Sequence, residues 1–206
     1  MMRLFLTSVL ILFLASCKSY QPVGVINASD ENSSYQNTYF AFGSAYLYKA
    51  NVEVYGNKLS GILVIKKIDS LTHRIALTSA FGNTLMDITI SETEMKVNYI
   101  LDELNRKILL KTLESDFRMI LTTDHLIQEK LETSEDLIYK SRNKDGFYYF
   151  FNLKENNNLH QIILASKSKE KVKVNITCKN RTFAEHIIIQ HYNIKLRIEL
   201  SEYKNE

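Results

Sequence analysis

The chain has 206 residues, of which 45% are hydrophobic and 24% charged, and this composition excludes an intrinsically disordered protein. The formal net charge of +3 is too balanced to indicate a nucleic-acid-binding protein, and the Lys and Arg residues form no stripe along the sequence. One Pro, six Gly and no Trp exclude collagen-like and low-complexity classes. The length predicts a single domain with a sizeable core.

The N-terminal segment predicts the cellular compartment. MMRLFLTSVLILFLASC combines one positive charge, Arg3, with an apolar run over residues 4–15 and small residues at its end. This pattern is typical of a secretory signal and is too short for a membrane-spanning helix. The final LASC resembles the lipobox of bacterial lipoproteins, whose cysteine receives a diacylglycerol. We predict a signal peptide at 1–16 and a lipid on Cys17; an ordinary cleavage site followed by an unrelated cysteine is the alternative.

The first half of the mature chain predicts a tether followed by a β-meander. Residues 17–44 are polar and irregular, which favours a flexible tether. Residues 45–203 form the predicted domain, which begins with apolar and polar residues in alternation. Five segments have strand character, and short turns join them. They are YLYKANVEVYG, LSGILVIKK, RIALTS, TLMDITI and EMKVNYI.

The pattern then changes to a helical period. Apolar residues recur at spacings of three and four over residues 101–121, which predicts an amphipathic helix with a break near Ser115 or Asp116. DHLIQEKLE, residues 124–132, is interpreted as a further helical turn. Six strands follow: DLIYKS, GFYYFFN, LHQIILAS, VKVNITC, AEHIIIQHY and IKLRIELSEY. About eleven antiparallel strands are too many for a flat sheet. We predict a mainly β fold, a curled incomplete barrel with a helical lid over an apolar cavity.

Catalytic and metal-binding patterns are absent from the sequence. His186 and His191 are five residues apart, so they point to opposite faces of a strand and cannot share a metal. No nucleophile elbow, zinc-protease motif or glycine-rich phosphate loop is present. The expectation is a protein with no catalytic residue, no metal and no cofactor.

The run from Tyr46 to Leu121 resembles the LolA/LolB superfamily of lipoprotein carriers, and most closely the LolB-like outer-membrane receptors. The resemblance rests on Ser60-Gly61 at the head of the second strand, on RIALTSAFGNTLMDITI, and on the Leu-rich helix. The C-terminal FAEHIIIQHYNIKLRIEL resembles the last strand pair of that family. The chain departs from the family in having no Trp, and Ala80 stands where Pro is common.

The resemblance implies an eleven-stranded incomplete barrel that holds acyl chains and performs no chemistry. It implies a periplasmic LolA-like carrier as partner, acylated lipoproteins or another lipid as cargo, and delivery to the outer membrane. Lys18, in place of the Asp that retains lipoproteins in the inner membrane, also favours the outer membrane. We expect a lipid-anchored monomer that faces the periplasm.

Two sets of site residues follow. Nine apolar residues have the parity expected of a cavity lining, although each is also compatible with plain core: Val52, Val54, Leu63, Ile65, Ile75, Leu77, Leu104, Ile108 and Phe117. In LTSAFGNT, the turn contains Phe81 between Ala80 and Gly82. Parity alone folds Phe81 back over the core edge. The resemblance implies instead that it protrudes, touches the membrane and is needed for cargo transfer.

Two other functions remain compatible with the sequence. One is a binding module on the same fold with a pigment, a polyketide or a free lipid as cargo. The other is an assembly or structural lipoprotein that binds a protein partner and carries no lipid cargo.

Overall fold

Fourteen strands and one α-helix are present in the computed structural model, which describes residues 19–43 and 45–204. The signal peptide predicted over 1–16 and the predicted lipidation site Cys17 lie outside the described residues. The helix, α1, spans Lys107–Leu121. The strands are β1 Asn27–Asp30, β2 Ser34–Gln36, β3 Ala45–Val54, β4 Asn57–Lys67, β5 His73–Thr78, β6 Thr84–Ile90, β7 Met95–Ile100, β8 Asp124–Glu132, β9 Asp136–Asn143, β10 Gly146–Leu153, β11 Leu159–Ala165, β12 Glu170–Asn180, β13 Phe183–His191 and β14 Leu196–Glu202.

All strand pairs are antiparallel and belong to one large sheet. Hydrogen-bonded neighbours follow the order β1-β8-β9-β10-β11-β12-β13-β14-β3-β4-β5-β6-β7, and β2 also pairs with β8. Within the described residues the edge strands β1 and β7 do not pair with each other, so the sheet is not closed into a barrel. The mainly β, antiparallel, open architecture is therefore confirmed. The predicted count of eleven strands is wrong, because three further strands are present.

One additional strand, β8, replaces the predicted helical turn. His125 and Ile127 are buried at alternate positions in its first half, between more exposed residues. A β-bulge follows Ile127, and the buried Leu131 belongs to a separate cluster on the other face of the sheet. Alternate burial belongs to a strand. The nine-residue segment also contains apolar residues at a helix-like spacing, so its pattern alone did not separate the two structures.

The other two additional strands lie in the predicted tether, and the prediction of a tether throughout 17–44 is wrong. β1 pairs with β8 over four residues, and β2 pairs with the start of β8. Tyr35 is buried between the rings of Tyr139 and Phe150, at centroid distances of 4.9 and 4.8 Å. Burial of aromatic side chains such as this one stabilises the segment against the sheet.

The N-terminal segment also explains why β10 is apolar throughout. Successive residues of a strand point to opposite faces. Tyr148 and Phe150 belong to the main core, whereas Tyr149 and Phe151 belong to a second cluster on the outer face, against which Tyr20 and Val25 pack. A strand covered on both faces carries a continuous apolar run instead of an alternation.

The main core lies on the inner, concave face of the sheet. In β3 the residues Tyr48, Ala50, Val52 and Val54 are buried while the residues between them are exposed. The same core includes the buried stripe of α1. The concave face is therefore the one that carries the helix.

His125 is a titratable group inside this core. Its ring centroid lies 4.5 Å from that of Phe150, and its Nε2 donates to the carbonyl oxygen of Thr122 at 3.2 Å. Burial disfavours the charged imidazolium and lowers the pKa of His125 to about 4.

Acid is expected to destabilise the fold through His125. The unfolded imidazole binds a proton near pH 6.5, but the folded one does so only near pH 4, so the unfolded state binds more protons in between. His125 makes its full contribution to the free energy of unfolding above pH 6.5. That contribution falls by about 3 kcal/mol as the pH is lowered to 4. Urea unfolding of the wild type and of His125→Phe at several pH values measures this. The variant should show a shallower loss of stability with acid, and parallel curves would contradict the assignment.

Candidate functional site

The helix α1 covers part of the concave face. Its apolar residues recur four, four and three positions apart, at Leu109, Leu113, Phe117 and Ile120, and they form one buried stripe. Each of these four side chains is no more than 4% exposed. The chain reaches the helix through a turn over residues 101–106, in which the Leu104 amide bonds to the Leu101 carbonyl at 2.9 Å.

A small apolar cavity lies between this helix and the sheet. Its volume is about 20 Å³, and every lining residue is apolar. The lining consists of Val52, Leu63, Leu77, Met86, Leu104, Leu109, Leu113, Phe117, Leu196, Ile198 and Leu200. A single water needs about 10–15 Å³ of such space, so the cavity has room for little more than one water. An acyl chain of a dozen or more methylenes fits only if the helix or several side chains move.

The predicted cavity residues fall into three groups. Five of the nine line the cavity: Val52, Leu63, Leu77, Leu104 and Phe117. Val54, Ile65 and Ile75 are buried in the same core, away from the lining. Ile108 alone is exposed, at 54%.

Placing Ile108 in the lining is wrong, and so is the start of the predicted helix. The helix begins at Lys107, not at residue 101, so the stripe follows Leu109 and leaves Ile108 on the solvent side. Sequence reasoning also missed the three lining residues of β14. The alternation of apolar and polar residues in LRIEL indicates that Leu196, Ile198 and Leu200 share one face of a strand. That this face borders the cavity depends on the pairing of β14 with β3, which lies at the other end of the domain sequence.

Polar contacts fix the C-terminal half of the helix. His191 Nε2 lies 2.9 Å from Asp116 Oδ2, and the two side chains are 1% and 0% exposed. Burial raises the pKa of Asp116, and His191 opposes this shift. The Asn37 side-chain amide donates to the Ile120 carbonyl at 2.8 Å, and Arg118 donates to the Ser91 carbonyl. The N-terminal half, residues 107–113, forms no side-chain hydrogen bond to the described strands and has no side-chain N-cap.

The loop between β5 and β6 presents Phe81 to solvent. Hydrogen bonds between Ser79 and Asn83 close the loop, and the Gly82 amide bonds to the Ser79 carbonyl at 3.0 Å. Gly82 has a φ of +83°, a conformation that favours glycine. Phe81 is 93% exposed, and Ala80 and Gly82 beside it are also exposed. The ring is not folded back over the core.

Gly61 holds the base of this loop close to the neighbouring strand. A Cβ atom at this position would overlap the backbone carbonyl of Thr78, the last residue of β5. Only a residue without a side chain allows β4 and the end of β5 to approach so closely. Glycine is therefore required at position 61 so that β4 can approach the strand end that leads into the Phe81 loop.

The sheet register brings Phe81 to the same end as the start of the helix. The β3–β4 turn, the β5–β6 loop, the end of β7 and the β13–β14 turn all lie at one end of the antiparallel sheet. Leu104, which lines the cavity, follows the end of β7. The exposed Phe81 and the uncapped end of α1 are therefore at the same edge of the half-barrel.

Comparison with solved structures gives the fold. The chain is similar to a LolA superfamily protein from Nitrosomonas europaea, with 7% sequence identity and a TM-score of 0.53, over 82% of this chain and 91% of that chain. A DUF1329 family protein from Desulfovibrio piger is less similar, with 8% identity and a TM-score of 0.42 over 79% of this chain and 85% of that one. No family model and no curated protein matches the sequence. The chain has a LolA/LolB-like fold, and at this level of identity the likeness concerns the fold alone.

Two features are absent from the part of the chain that the structure describes, a membrane-spanning helix and a metal-binding cluster. No described helix has both the length and the apolar character needed to span a bilayer. No three His, Cys, Asp or Glu side chains among the described residues are grouped so that they could hold a metal ion.

Proposed function

We propose that this protein is a lipid-anchored envelope carrier that takes acyl chains beneath α1 and passes them to a membrane. The observation that carries the proposal is the small cavity on a LolA/LolB-like fold, with apolar side chains from both the sheet and the helix as its lining. A purely apolar site selects hydrocarbon and offers nothing to a polar ligand. The activity requires binding and release but no catalytic group.

Loading requires the helix to move, and the contacts of α1 favour movement of its N-terminal half. The C-terminal half is held by the Asp116–His191 pair and by Asn37, whereas the N-terminal half rests on apolar contacts alone. When the helix moves, its apolar side chains exchange contacts with the sheet for contacts with an acyl chain. This exchange costs little free energy, because apolar surface stays buried in both states. We infer that the cavity opens at the Phe81 end.

The finer proposal is a LolB-like receptor. Such a protein accepts acylated lipoproteins from a soluble LolA-like carrier and delivers them to the outer membrane on its periplasmic side. The lipobox, Lys18 and the sequence resemblance over residues 45–200 support this role. Phe81 is exposed at the end of the sheet where we infer that the cavity opens, which suits a residue that enters the membrane during transfer.

The small volume of the cavity favours a second candidate. A core with about 20 Å³ of free space is nearly filled, as expected of an assembly lipoprotein that binds a protein partner and no lipid. An uptake assay separates the two functions. Purified protein is incubated with a fluorescent diacylated lipopeptide, and the bound fraction is measured after gel filtration. Stoichiometric uptake supports the carrier, and no uptake at any lipopeptide concentration supports the assembly protein.

Loss of the proposed lipid on Cys17 should detach the protein from membranes. One acyl chain holds a protein only marginally, whereas two or more anchor it stably, at about 0.8 kcal/mol for each buried methylene. Cys17→Ala is expected to move the protein to the soluble envelope fraction or to stop its processing. Fractionation with a carbonate wash measures this, with Ser19→Ala as the control. A variant that stays in the membrane fraction would contradict the anchor.

A further inference from the structure

A carboxyl group lies in the middle of the buried face of α1. Asp116 is three positions after Leu113 and four before Ile120, so the three residues share the face that packs on the sheet. The Asp116 side chain is 0% exposed. A helix that only covers an apolar core carries apolar residues on this face. Packing alone therefore does not account for a carboxyl group at this position.

His191 is the partner of Asp116, and it comes from the concave face of β13. It lies two residues after the buried Ile189, and its register neighbour in β12 is the buried Val172. Its Nε2 is 2.9 Å from Asp116 Oδ2. The other polar atoms of the two side chains, His191 Nδ1 and Asp116 Oδ1, have no hydrogen-bond partner among the described residues. We call this pair the polar latch, because it joins the helix to the sheet.

Few charged groups act on the polar latch. Among the described residues, His191 is the only charged group that affects the pKa of Asp116. Tyr148 of β10 also faces Asp116, but burial and, to a smaller extent, this carboxyl group raise the pKa of Tyr148 to about 12, so its hydroxyl stays neutral. Arg118, on the same helix, donates to Glu114 Oε1 at 2.9 Å. The charge of the latch is therefore balanced within the pair.

The closed latch has no net charge, because a net charge in an apolar core is costly. An imidazole and a carboxyl group are neutral together when one proton lies between them and a second hydrogen is on Nδ1. In water, an imidazole titrates near pH 6.5 and a carboxyl group near pH 4. Above about pH 6.5 the parted latch therefore binds one proton fewer than the closed latch, and a rise in pH favours parting.

The short free half of α1 gives the latch a role in loading. Residues 107–113 form no side-chain hydrogen bond to the described strands, and this length of helix spans about 10 Å. An extended palmitoyl chain is longer than that. A long acyl chain beneath the helix must therefore pass Asp116, and the latch has to part to let it do so.

We propose that the polar latch is a proton-controlled stop on the opening of α1, which admits long acyl chains only when it parts. While the pair is neutral, the C-terminal half of the helix stays on the sheet, and only short chains fit beneath the N-terminal half. Loss of one proton to water parts Asp116 from His191 and opens the concave face to a long chain. The inference deepens the proposed carrier function and rests on it for the cargo, whereas the proton-controlled opening does not depend on it.

Hydrogen exchange measures the latch without any ligand. Between about pH 6.5 and 8.5, release of one proton should raise the equilibrium constant for local opening of residues 114–121 at least fivefold. Asp116→Asn keeps a hydrogen-bonding side chain of similar size that cannot ionise, so its opening constant should not change with pH. His125, whose pKa is about 4, does not titrate in this range.

The outer face of the sheet offers a matched control. His186 Nε2 lies 3.0 Å from Glu199 Oε1, which is the same type of pair, but the two side chains are 33% and 36% exposed. Glu199→Gln should therefore show the pH dependence of the wild type. If Asp116→Asn fails to fold, the double variant Asp116→Leu, His191→Leu takes its place, since it also has no titratable group at the latch.

Uptake of two diacylated lipopeptides tests the role in loading. Over the same pH range, the wild type should take up a dipalmitoyl lipopeptide at least fivefold faster at the upper end than at the lower end. Its uptake of a dioctanoyl lipopeptide should not change with pH. In Asp116→Asn, uptake of both lipopeptides should be independent of pH.

The outcomes separate the latch from the carrier function. The proposal is overturned if exchange in α1 has the same pH dependence in the wild type and in Asp116→Asn. It is also overturned if core amides of β10 and β12 change equally with α1, because the pair then stabilises the whole fold, or if uptake of both lipopeptides depends equally on pH. If neither lipopeptide binds although exchange in α1 follows the latch, the carrier function fails and proton-controlled opening is still supported.

Discussion

Leu109→Asp is expected to lower the melting temperature by about 10 °C and to abolish lipopeptide uptake. Leu109 is 1% exposed and lines the cavity, so the variant buries a carboxylate among apolar side chains that offer it no partner. A cost of about 4 kcal/mol lies at the large end of single-substitution effects, as expected when an unpaired charge is buried. For a domain of this size each kcal/mol shifts the melting temperature by roughly 2–4 °C.

The adjacent residue provides the control. Ile108 is 54% exposed, and aspartate there is expected to leave both the melting temperature and uptake close to wild type, with a change below about 1 °C. The pair therefore tests which face of α1 packs on the sheet. Equal melting temperatures for the two variants would show that the helix does not pack on the sheet through Leu109.

Phe81→Glu is expected to reduce transfer of cargo to vesicles at least tenfold while leaving the fold intact. The side chain is 93% exposed and supports no core contact, so the melting temperature should be unchanged. Insertion of one Phe side chain into an apolar environment is worth roughly 1.5–3 kcal/mol, a factor of about 10 to 100 in the population of the inserted loop. This is small beside a multi-chain lipid anchor, so the variant should remain attached.

Two substitutions control for this effect. Phe81→Leu keeps an apolar tip and should transfer cargo almost normally. Phe42→Glu changes another exposed phenylalanine, 74% exposed, which precedes β3 at the other end of the strands from the Phe81 loop, and should have no effect on transfer. The assay follows a labelled lipoprotein into liposomes after loading. If Phe81→Glu melts several degrees lower and transfers normally per folded molecule, Phe81 stabilises the fold and takes no part in transfer.

The β-meander was predictable because its pattern is local. In β3, alternating burial follows directly from alternating residues, and β6 coincides with the predicted TLMDITI. A half-buried strand needs only an apolar face and short turns, and both are visible within about ten residues. The sequence therefore predicted eleven of the fourteen strands, with boundaries correct to within two or three residues.

The remaining parts depend on contacts between distant segments. The ordering of Tyr35 comes from Tyr139 and Phe150, more than a hundred residues away, so its polar neighbours made the segment resemble a tether. The lining by β14 likewise depends on its pairing with β3. A short stretch of sequence does not reveal contacts between residues that are so far apart in the chain.

The cavity itself was predictable in kind but not in size. Leu63, Leu77 and Phe117 have the parity of a concave face, and they do line the cavity. Its volume depends on how closely the helix approaches, which is set by tertiary contacts such as the buried pair of Asp116 and His191. The start of α1 also escaped prediction, since Leu101 and Leu104 continue the helical period into a turn.

Photo-crosslinking of a bound acyl chain tests the central proposal most directly. The protein is loaded with a diacylated lipopeptide whose acyl chain carries a diazirine, irradiated, and mapped by peptide mass spectrometry. The account predicts adducts on the cavity lining from both sides, on Leu63, Leu77 or Met86 of the sheet and on Leu109 or Leu113 of the helix. These adducts should disappear in Leu109→Asp and persist in Ile108→Asp. Adducts confined to exposed residues such as Phe81, or no adducts with a fully folded protein, would contradict a carrier function for this cavity.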